Sequence, residues 1–253
     1  MLNALTAITQ GTRWVYRPGL RRYVFLPIAV NFLLYTALLV LLWHYFEGWL
    51  AYWMSLVPDW LTWLTWLIWP LFFLSLVVVI FFSFTVVSSM IAAPFYGFLA
   101  EKVEIQATGR HPQDDRSLTR AAIDALGREL VKLGYILPRA LALFVISWMP
   151  GLNLLSPLLW ALFSAWVAAI TYLDYPMDNN KVSFADMRRR LSGRRWHSLS
   201  YGGLVTLITW VPLANLFLIP GAVAGAVLMW DAHYRIEIEN ARTDTPSSAA
   251  SGR

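Results

Sequence analysis

The run Arg17-Pro18-Gly19-Leu20-Arg21-Arg22 places three guanidinium groups around a Pro-Gly pair. Such a pair signals a turn or a helix start, and an uncharged stretch begins directly after it at Tyr23. Backbone N–H groups at a helix N-terminus, joined by guanidinium donors, make a natural site for an oxyanion. The same arginines also suit a second role, as topology determinants and anchors to anionic headgroups. Composition leaves both roles open.

Four further residues stand out as polar positions in apolar surroundings. Asn31 follows Pro27 by about one turn, and can hydrogen-bond across helices or mark a lining position. Asn153 and Asn215 sit in two similar breaks, discussed below. Arg139 is the one charge between Leu133 and Leu173; it can snorkel to the interface or lie on an anion path. Asp174, in the sequence TYLDYP, could pair with an arginine between Arg188 and Arg195. Gly221 to Gly225, GAVAG, is a GxxxG pattern that fits close helix packing or a subunit contact.

Enzyme chemistry is not indicated. The chain has no Cys, and its four histidines, His44, His111, His197 and His233, lie too far apart in sequence for metal-ligand spacing. Asp231 and His233 are two apart and would not share an α-helical face. HExxH, Walker A and GxSxG motifs are missing, so no cofactor or metal is implied and this chain would not itself hydrolyse ATP. A formal charge of +5 does not argue for nucleic acid, because the arginines cluster at the ends of apolar blocks.

Those blocks are the elements that must position the candidates. Hydrophobic residues make up 58% of the chain and charged ones 14%, against about 25% charged in a soluble domain. Uncharged stretches run over Tyr23–Trp43, Trp60–Ala100 and Leu199–Trp230, and Leu133–Leu173 carries only Arg139. Crossing a bilayer takes about 20 apolar residues. The first block, Tyr23 to about Phe46, reads as a full transmembrane helix without a cleavage-like site, not as a signal peptide. Four arginines precede it and acidic Glu47 and Asp59 follow, which places the N-terminus in the cytoplasm and the 47–59 loop outside. The second block has residues to spare. Trp60, Trp63, Trp66 and Trp69 suit an interfacial helix, Pro70 a bend, and Leu71 to about Ala93 a crossing; one long tilted helix is the alternative.

Residues 101–132 and 178–195 are rich enough in Lys and Arg to be cytoplasmic. Asp124, Arg128, Glu129 and Lys132 have the spacing of an exposed helix. Between these loops the chain must enter the membrane and return, with a break at WMPGLNLLSP, Trp148–Pro157. Two short arms, about Gly134–Trp148 and Ser156–Tyr172, fit that length. Trp210–Pro220, WVPLANLFLIP, repeats the Trp-x-Pro-x-x-Asn pattern. The match favours a second hairpin over a single kinked crossing, and Arg235, Arg242 and Arg253 allow an inside tail. Paired broken segments of this kind point to a midplane site in transporters. Residues 1–242 read as one membrane domain and 243–253 as a small, polar, disordered tail.

Four stretches carry a resemblance that covers most of the chain: RPGLRRYVFLPIAVN (Arg17–Asn31), AAPFYGFLAEKVE (Ala92–Glu104), YLDYP (Tyr172–Pro176) with the following Phe184 and Arg-rich run, and PLANLFLIPGAVAGA (Pro212–Ala226). In this order they resemble the CysZ family of bacterial sulfate transporters. The resemblance implies an all-α integral membrane protein with two long transmembrane helices, two short, partly penetrating helical hairpins and cytoplasmic helical extensions. It also implies a homo-oligomer in the bacterial inner membrane, both termini cytoplasmic, that admits sulfate for assimilation into cysteine. The family's GLR motif, associated with sulfate binding, falls on Gly19, Leu20 and Arg21, with Arg22 adjacent. Asn31, Arg139, Asn153 and Asn215 remain candidates for a pathway or for the hairpin turns. The sequence leaves channel-like and proton-linked transport open. Two other classes also remain: a non-transporting membrane scaffold or regulator, and a channel for another oxyanion.

Overall fold

The computed structural model describes residues 2–55, 58, 65–112, 117–211 and 214–235. Trp60 and Trp63 of the expected interfacial helix, Pro212 of the second break, and the 243–253 tail lie outside these residues. Among them every regular element is helical: α1 (Ala4–Val15), α2 (Arg22–Ser55), α3 (Thr65–Thr108), α4 (Leu118–Ser147), α5 (Ser156–Asn179), α6 (Phe184–Gly193), α7 (Arg195–Thr209) and α8 (Ala214–Met229). A 3-10 turn, Asn153–Leu155, enters α5, and a wide π turn, Trp230–Tyr234, ends α8. The chain divides into two compact units, one formed by Met1–Val24 with Ala93–Arg253 and the other by Phe25–Ala92.

The 25–92 unit is built from the long α2 and α3. Their sequences are apolar all round, so no face is set aside for water. Phe32, Leu33, Val40, Phe73, Leu74 and Phe81 are exposed along them. Hydroxyls in this setting bond to their own helix: Ser75 Oγ donates to Leu71 O at 2.7 Å and Ser89 Oγ to Val86 O at 2.8 Å. At 1.5 Å per residue, the 34 residues of α2 extend roughly 51 Å, well beyond a hydrocarbon core of about 30 Å.

The other unit has the core. In α1, Ala4, Ala7, Ile8, Gly11 and Val15 face inward at helical spacing, and Asn3 caps the helix by accepting from Thr6 N at 2.8 Å. Helix α1 packs on α8, α5 packs on α7 and α8, and α6 joins α5 to α7. Ile170, Leu173, Met177, Met187, Leu191, Tyr201, Met229, Trp230 and Tyr234 fill the space between them. Gly221 and Gly225 let α8 approach α1 closely: a Cβ on Gly225 would sit 2.8 Å from Ala7 O, and one on Gly221 would strike Thr12. The GAVAG stretch therefore serves packing within the chain.

Helices α4 and α5 form an antiparallel hairpin. Trp160 Nε1 donates to Ser147 Oγ at 3.1 Å near the tip, and Trp166 Nε1 to Tyr135 OH at 3.3 Å farther down. Gly151 turns the tip with φ +84°, where a side chain would be strained. Helices α7 and α8 pack on each other, with Tyr201 OH donating to Ala222 O. Ser198 Oγ and Tyr234 OH hydrogen-bond at 2.9 Å. Among the described residues three helical segments are long and apolar enough to cross a membrane, Arg22–Leu41, Thr119–Ser147 and Asn153–Asn179; a shorter apolar stretch, Trp69–Val78, lies in α3. The molecule is thus all-α with several membrane-spanning helices.

Several expectations are corrected. The first helix does not end near Phe46: α2 continues to Ser55, so most of the expected 47–59 loop is helical. Pro70 does not interrupt the helix and the helix does not stop at Pro94; α3 runs unbroken through both to Thr108, as in the one-helix alternative. In an apolar setting the neighbouring backbone bonds outweigh the one donor that each proline removes. Gly109, with φ +69°, ends α3 and donates to Ile105 O at 3.0 Å. The cytoplasmic helix and the first hairpin arm are one helix, α4, and the second arm reaches Asn179, beyond Tyr172. Arg128, Glu129 and Lys132 are not on an exposed face: they turn toward α5, where Asp174 needs cations.

Candidate functional site

The Arg17–Arg22 turn links α1 to α2. Leu20 is its buried anchor at 1% exposure, while Arg17, Arg21 and Arg22 are exposed. Gly19 adopts φ +91° with open space where a Cβ would be, so the position asks for glycine by conformation and not by crowding. Within the turn, Leu20 N bonds to Arg17 O at 3.2 Å, Tyr23 N to Leu20 O at 3.0 Å and Val24 N to Arg21 O at 3.0 Å. The amides of Gly19, Arg21 and Arg22 find no acceptor among the described residues. Arg21 Nε donates to Tyr16 O at 2.7 Å, which leaves its terminal nitrogens for another partner. Arg22 donates to Tyr23 OH at 3.2 Å, and Arg17 stacks 3.6 Å from the Trp14 ring centre. No carboxylate pairs with these arginines among the described residues.

Tyr16 fastens this turn to α8, since its hydroxyl donates to Phe217 O at 3.1 Å. Burial pushes its phenol up from the usual value, which keeps the donor proton in place. Exposed guanidiniums, free amides and the positive end of α2 thus meet in one turn.

A second charged group lies where α3, α4 and α5 meet. Arg128 grips Asp174 with both edges of its fork, Nη2 to Oδ1 at 2.6 Å and Nε to Oδ1 at 3.0 Å, and donates to Val182 O at 3.0 Å. Lys132 lies 2.5 Å from Glu129 and 3.4 Å from Asp174 Oδ2. Asp174 is 1% exposed, so two cations hold one buried carboxylate. The expected partners at 188–195 are not the ones used, because the antiparallel register of α4 and α5 brings 128 and 132 beside 174. Beside this network a cleft of about 50 Å³, lined by Gly97, Glu101, Lys132 and Asn179 among others, has room for a few waters.

A third group ties Asn180 and Arg235 to α3. Fully buried Glu104 accepts from Asn180 Nδ2 at 3.0 and 3.1 Å and pairs with Arg235, which also reaches Asp231 at 3.3 Å. His233 bonds to Leu2 O at 2.8 Å, and the His197 ring stacks 4.5 Å from it. Burial, the facing His233 and Arg194 lower the His197 pKa from its usual value. The pairing of histidines far apart in sequence was not legible from spacing. Among the described residues no group of three His, Cys, Asp or Glu side chains is placed to hold a metal.

The remaining candidates do not converge on the turn. Asn31 lies in α2 within the 25–92 unit, its Oδ1 buried without a hydrogen-bond partner among the described residues. Asn153 is exposed at the tip of the α4–α5 hairpin. Asn215 opens α8 at its second residue, and its side chain is outside what is described. Arg139 is exposed on α4 and folds back to donate to Tyr135 O at 2.7 Å.

Known proteins place this arrangement. The family model described as "Sulfate transporter CysZ/Etoposide-induced protein 2.4" matches residues 7–220. A "Sulfate transporter CysZ" of Pseudomonas fluorescens Pf0-1 is 43% identical over 226 residues, 88% of this chain and 90% of the relative. The protein of the same name from P. fluorescens Pf-5 is 45% identical over 226 residues, covering 88% and 91%. That of P. aeruginosa PAO1 is 42% identical over 224 residues, covering 87% and 91%. With the family match running from residue 7 to residue 220, through the arginine turn and all of α4 and α5, the chain belongs to the sulfate transporter CysZ/etoposide-induced protein 2.4 family.

Proposed function

We propose that this protein is a multi-pass transporter or channel of the bacterial inner membrane that admits sulfate for assimilation into cysteine. The observation that carries the site is the Gly19–Arg22 turn, with exposed Arg21 and Arg22 beside unpaired amides at the start of a spanning helix. Sulfate is a tetrahedral dianion. It accepts several hydrogen bonds at once, and guanidinium forks match its edges. Affinity at such a mouth must stay low enough for release, and an exposed turn open to water meets that need. Family membership and the names of the relatives support the substrate.

The topology that goes with this reading has two long transmembrane helices, α2 and α3, and two partly penetrating hairpins, α4–α5 and α7–α8. Both termini face the cytoplasm, and copies assemble around the irregular tips, where bare backbone needs cover in a membrane. Nothing in the sequence calls for a cofactor, and sulfate and lipid are the expected partners.

Purified full-length protein in liposomes is expected to admit labelled sulfate. Folded protein that admits none would favour the scaffold reading, and equal flux of an unrelated anion would favour a channel of other specificity. For the hairpin, a cysteine placed between Pro150 and Ser156 is expected to label from outside far less than one placed at Ser55. Equal labelling at the two positions would mean that the arm crosses completely.

A further inference from the structure

Two guanidinium groups share one aromatic ring away from the Gly19–Arg22 turn. The Arg139 ζ carbon, on α4, lies 3.7 Å from the centre of the Tyr135 ring, and that of Arg188, on α6, lies 4.8 Å from the same centre. The two carbons are therefore no more than about 8.5 Å apart. Arg188 also lies 5.2 Å from the Phe184 ring centre. Arg128 approaches Phe184 too, but its charge is met by Asp174 and Asp178.

Arg139 and Arg188 have no such partner: neither pairs with a carboxylate among the described residues. Arg139 gives its Nη1 to a neutral carbonyl, Tyr135 O. The Nε of Arg188 is buried with no acceptor among the described residues. Stacking on the ring orients both forks and partly offsets their charge, but it satisfies none of their remaining N–H donors. Two like charges this close, with donors to spare, are the pattern of a site completed by an anion.

The surroundings say which anion. Arg139 lies inside the apolar Thr119–Ser147 stretch, with exposed Ala142 and half-buried Leu143 one turn further along the same face. Its side chain runs one turn back toward the polar start of α4, as side chains tilt in helices. A lipid lying on this face would set its tails against Ala142 and Leu143 and its headgroup at the two arginines. We infer that Arg139 and Arg188, stacked on Tyr135, form a second tetrahedral-oxyanion site, which takes the headgroup phosphate of an anionic phospholipid. Tyr135 is the positioning residue. Free sulfate has the same tetrahedral geometry and is the aqueous source that the test must separate.

Full-length protein in neutral detergent, stripped of lipid, is titrated with phosphatidylglycerol, with diacylglycerol (which has no phosphate) and with sodium sulfate. Native mass spectrometry counts bound lipid, and calorimetry reads sulfate. Wild type is expected to bind phosphatidylglycerol at least tenfold more tightly than diacylglycerol, with sulfate competing. Arg139→Gln with Arg188→Gln should lose that preference, whereas Arg21→Ala with Arg22→Ala should keep it. Unchanged phosphatidylglycerol binding in the folded glutamine pair would overturn the site. Sulfate stoichiometry lowered by one site in that pair, without any preference for phosphatidylglycerol in wild type, would support the oxyanion site and overturn lipid as its source. Should the glutamine pair not fold, wild type alone decides, because no preference and no competition by sulfate would overturn both parts.

Discussion

Liposomes carrying Arg21→Ala with Arg22→Ala are expected to admit labelled sulfate at least tenfold more slowly than wild type, with unchanged size-exclusion behaviour. A hydrogen bond to a charged group contributes about 1.5–3 kcal/mol, and a tenfold change takes about 1.4 kcal/mol. Losing two guanidiniums from a site that otherwise offers only amides therefore exceeds a tenfold effect. Folding should survive, because both side chains are exposed and neither fills the core. Leu20→Ala is the contrasting variant: it removes a side chain that is 1% exposed, so its loss of flux should come with a loss of stability. Lysine at both arginines should keep part of the flux, since it restores charge without the planar fork. Normal flux in the alanine pair would remove the turn from the mechanism.

Asp174→Ala is expected to destabilise the protein by about 3 kcal/mol, the low end for breaking a buried ion pair, because each cation keeps one carboxylate. It leaves Arg128 with Asp178 at 3.5 Å in place of its bidentate partner, and Lys132 with Glu129. Arg128→Ala should cost less than Asp174→Ala, since Lys132 still reaches the carboxylate at 3.4 Å. The decisive comparison is the pair Arg128→Met with Asp174→Leu, which removes both charges and keeps bulk. A matched apolar replacement of a buried ion pair is often close to neutral, so the double variant should melt above Asp174→Ala. Thermal unfolding followed by size exclusion with fluorescence detection reads all three. A double variant that melts below Asp174→Ala would show that the network contributes more than mutual neutralisation.

Much of the architecture was legible because a bilayer leaves few solutions. Runs without charge had to be helices, and WMPGLNLLSP had to turn where Gly151 now turns with positive φ. The arginine turn was visible from Pro18, Gly19 and the apolar stretch that follows. The ends of the long helices were not legible. Charge marks an end near Phe46 and Pro94 marks one near Ala93, whereas a helix stops where its backbone bonds stop, at Ser55 and Thr108. Prolines misled for a related reason, because a missing donor is a small loss in a helix whose other bonds have no water to compete with them.

Partners across the fold were hidden more deeply. Asp174 announced its need for a cation, but sequence proximity pointed to 188–195, while the α4–α5 register delivered Arg128 and Lys132. GAVAG left two readings, and only the approach of Gly225 to Ala7 chose packing within the chain. Arg139 read as a lone charge until α6 brought Arg188 to the same tyrosine.

By itself, the sequence determined the solvent of this protein, the helical state of its segments, the two breaks and the arginine turn. Each of these depends on local composition, spacing and the cost of bare backbone in lipid. Only the tertiary structure decided which charges neutralise one another and which are left to meet an anion. That choice depends on helix register and side-chain direction, and these are set by packing between residues far apart in the chain.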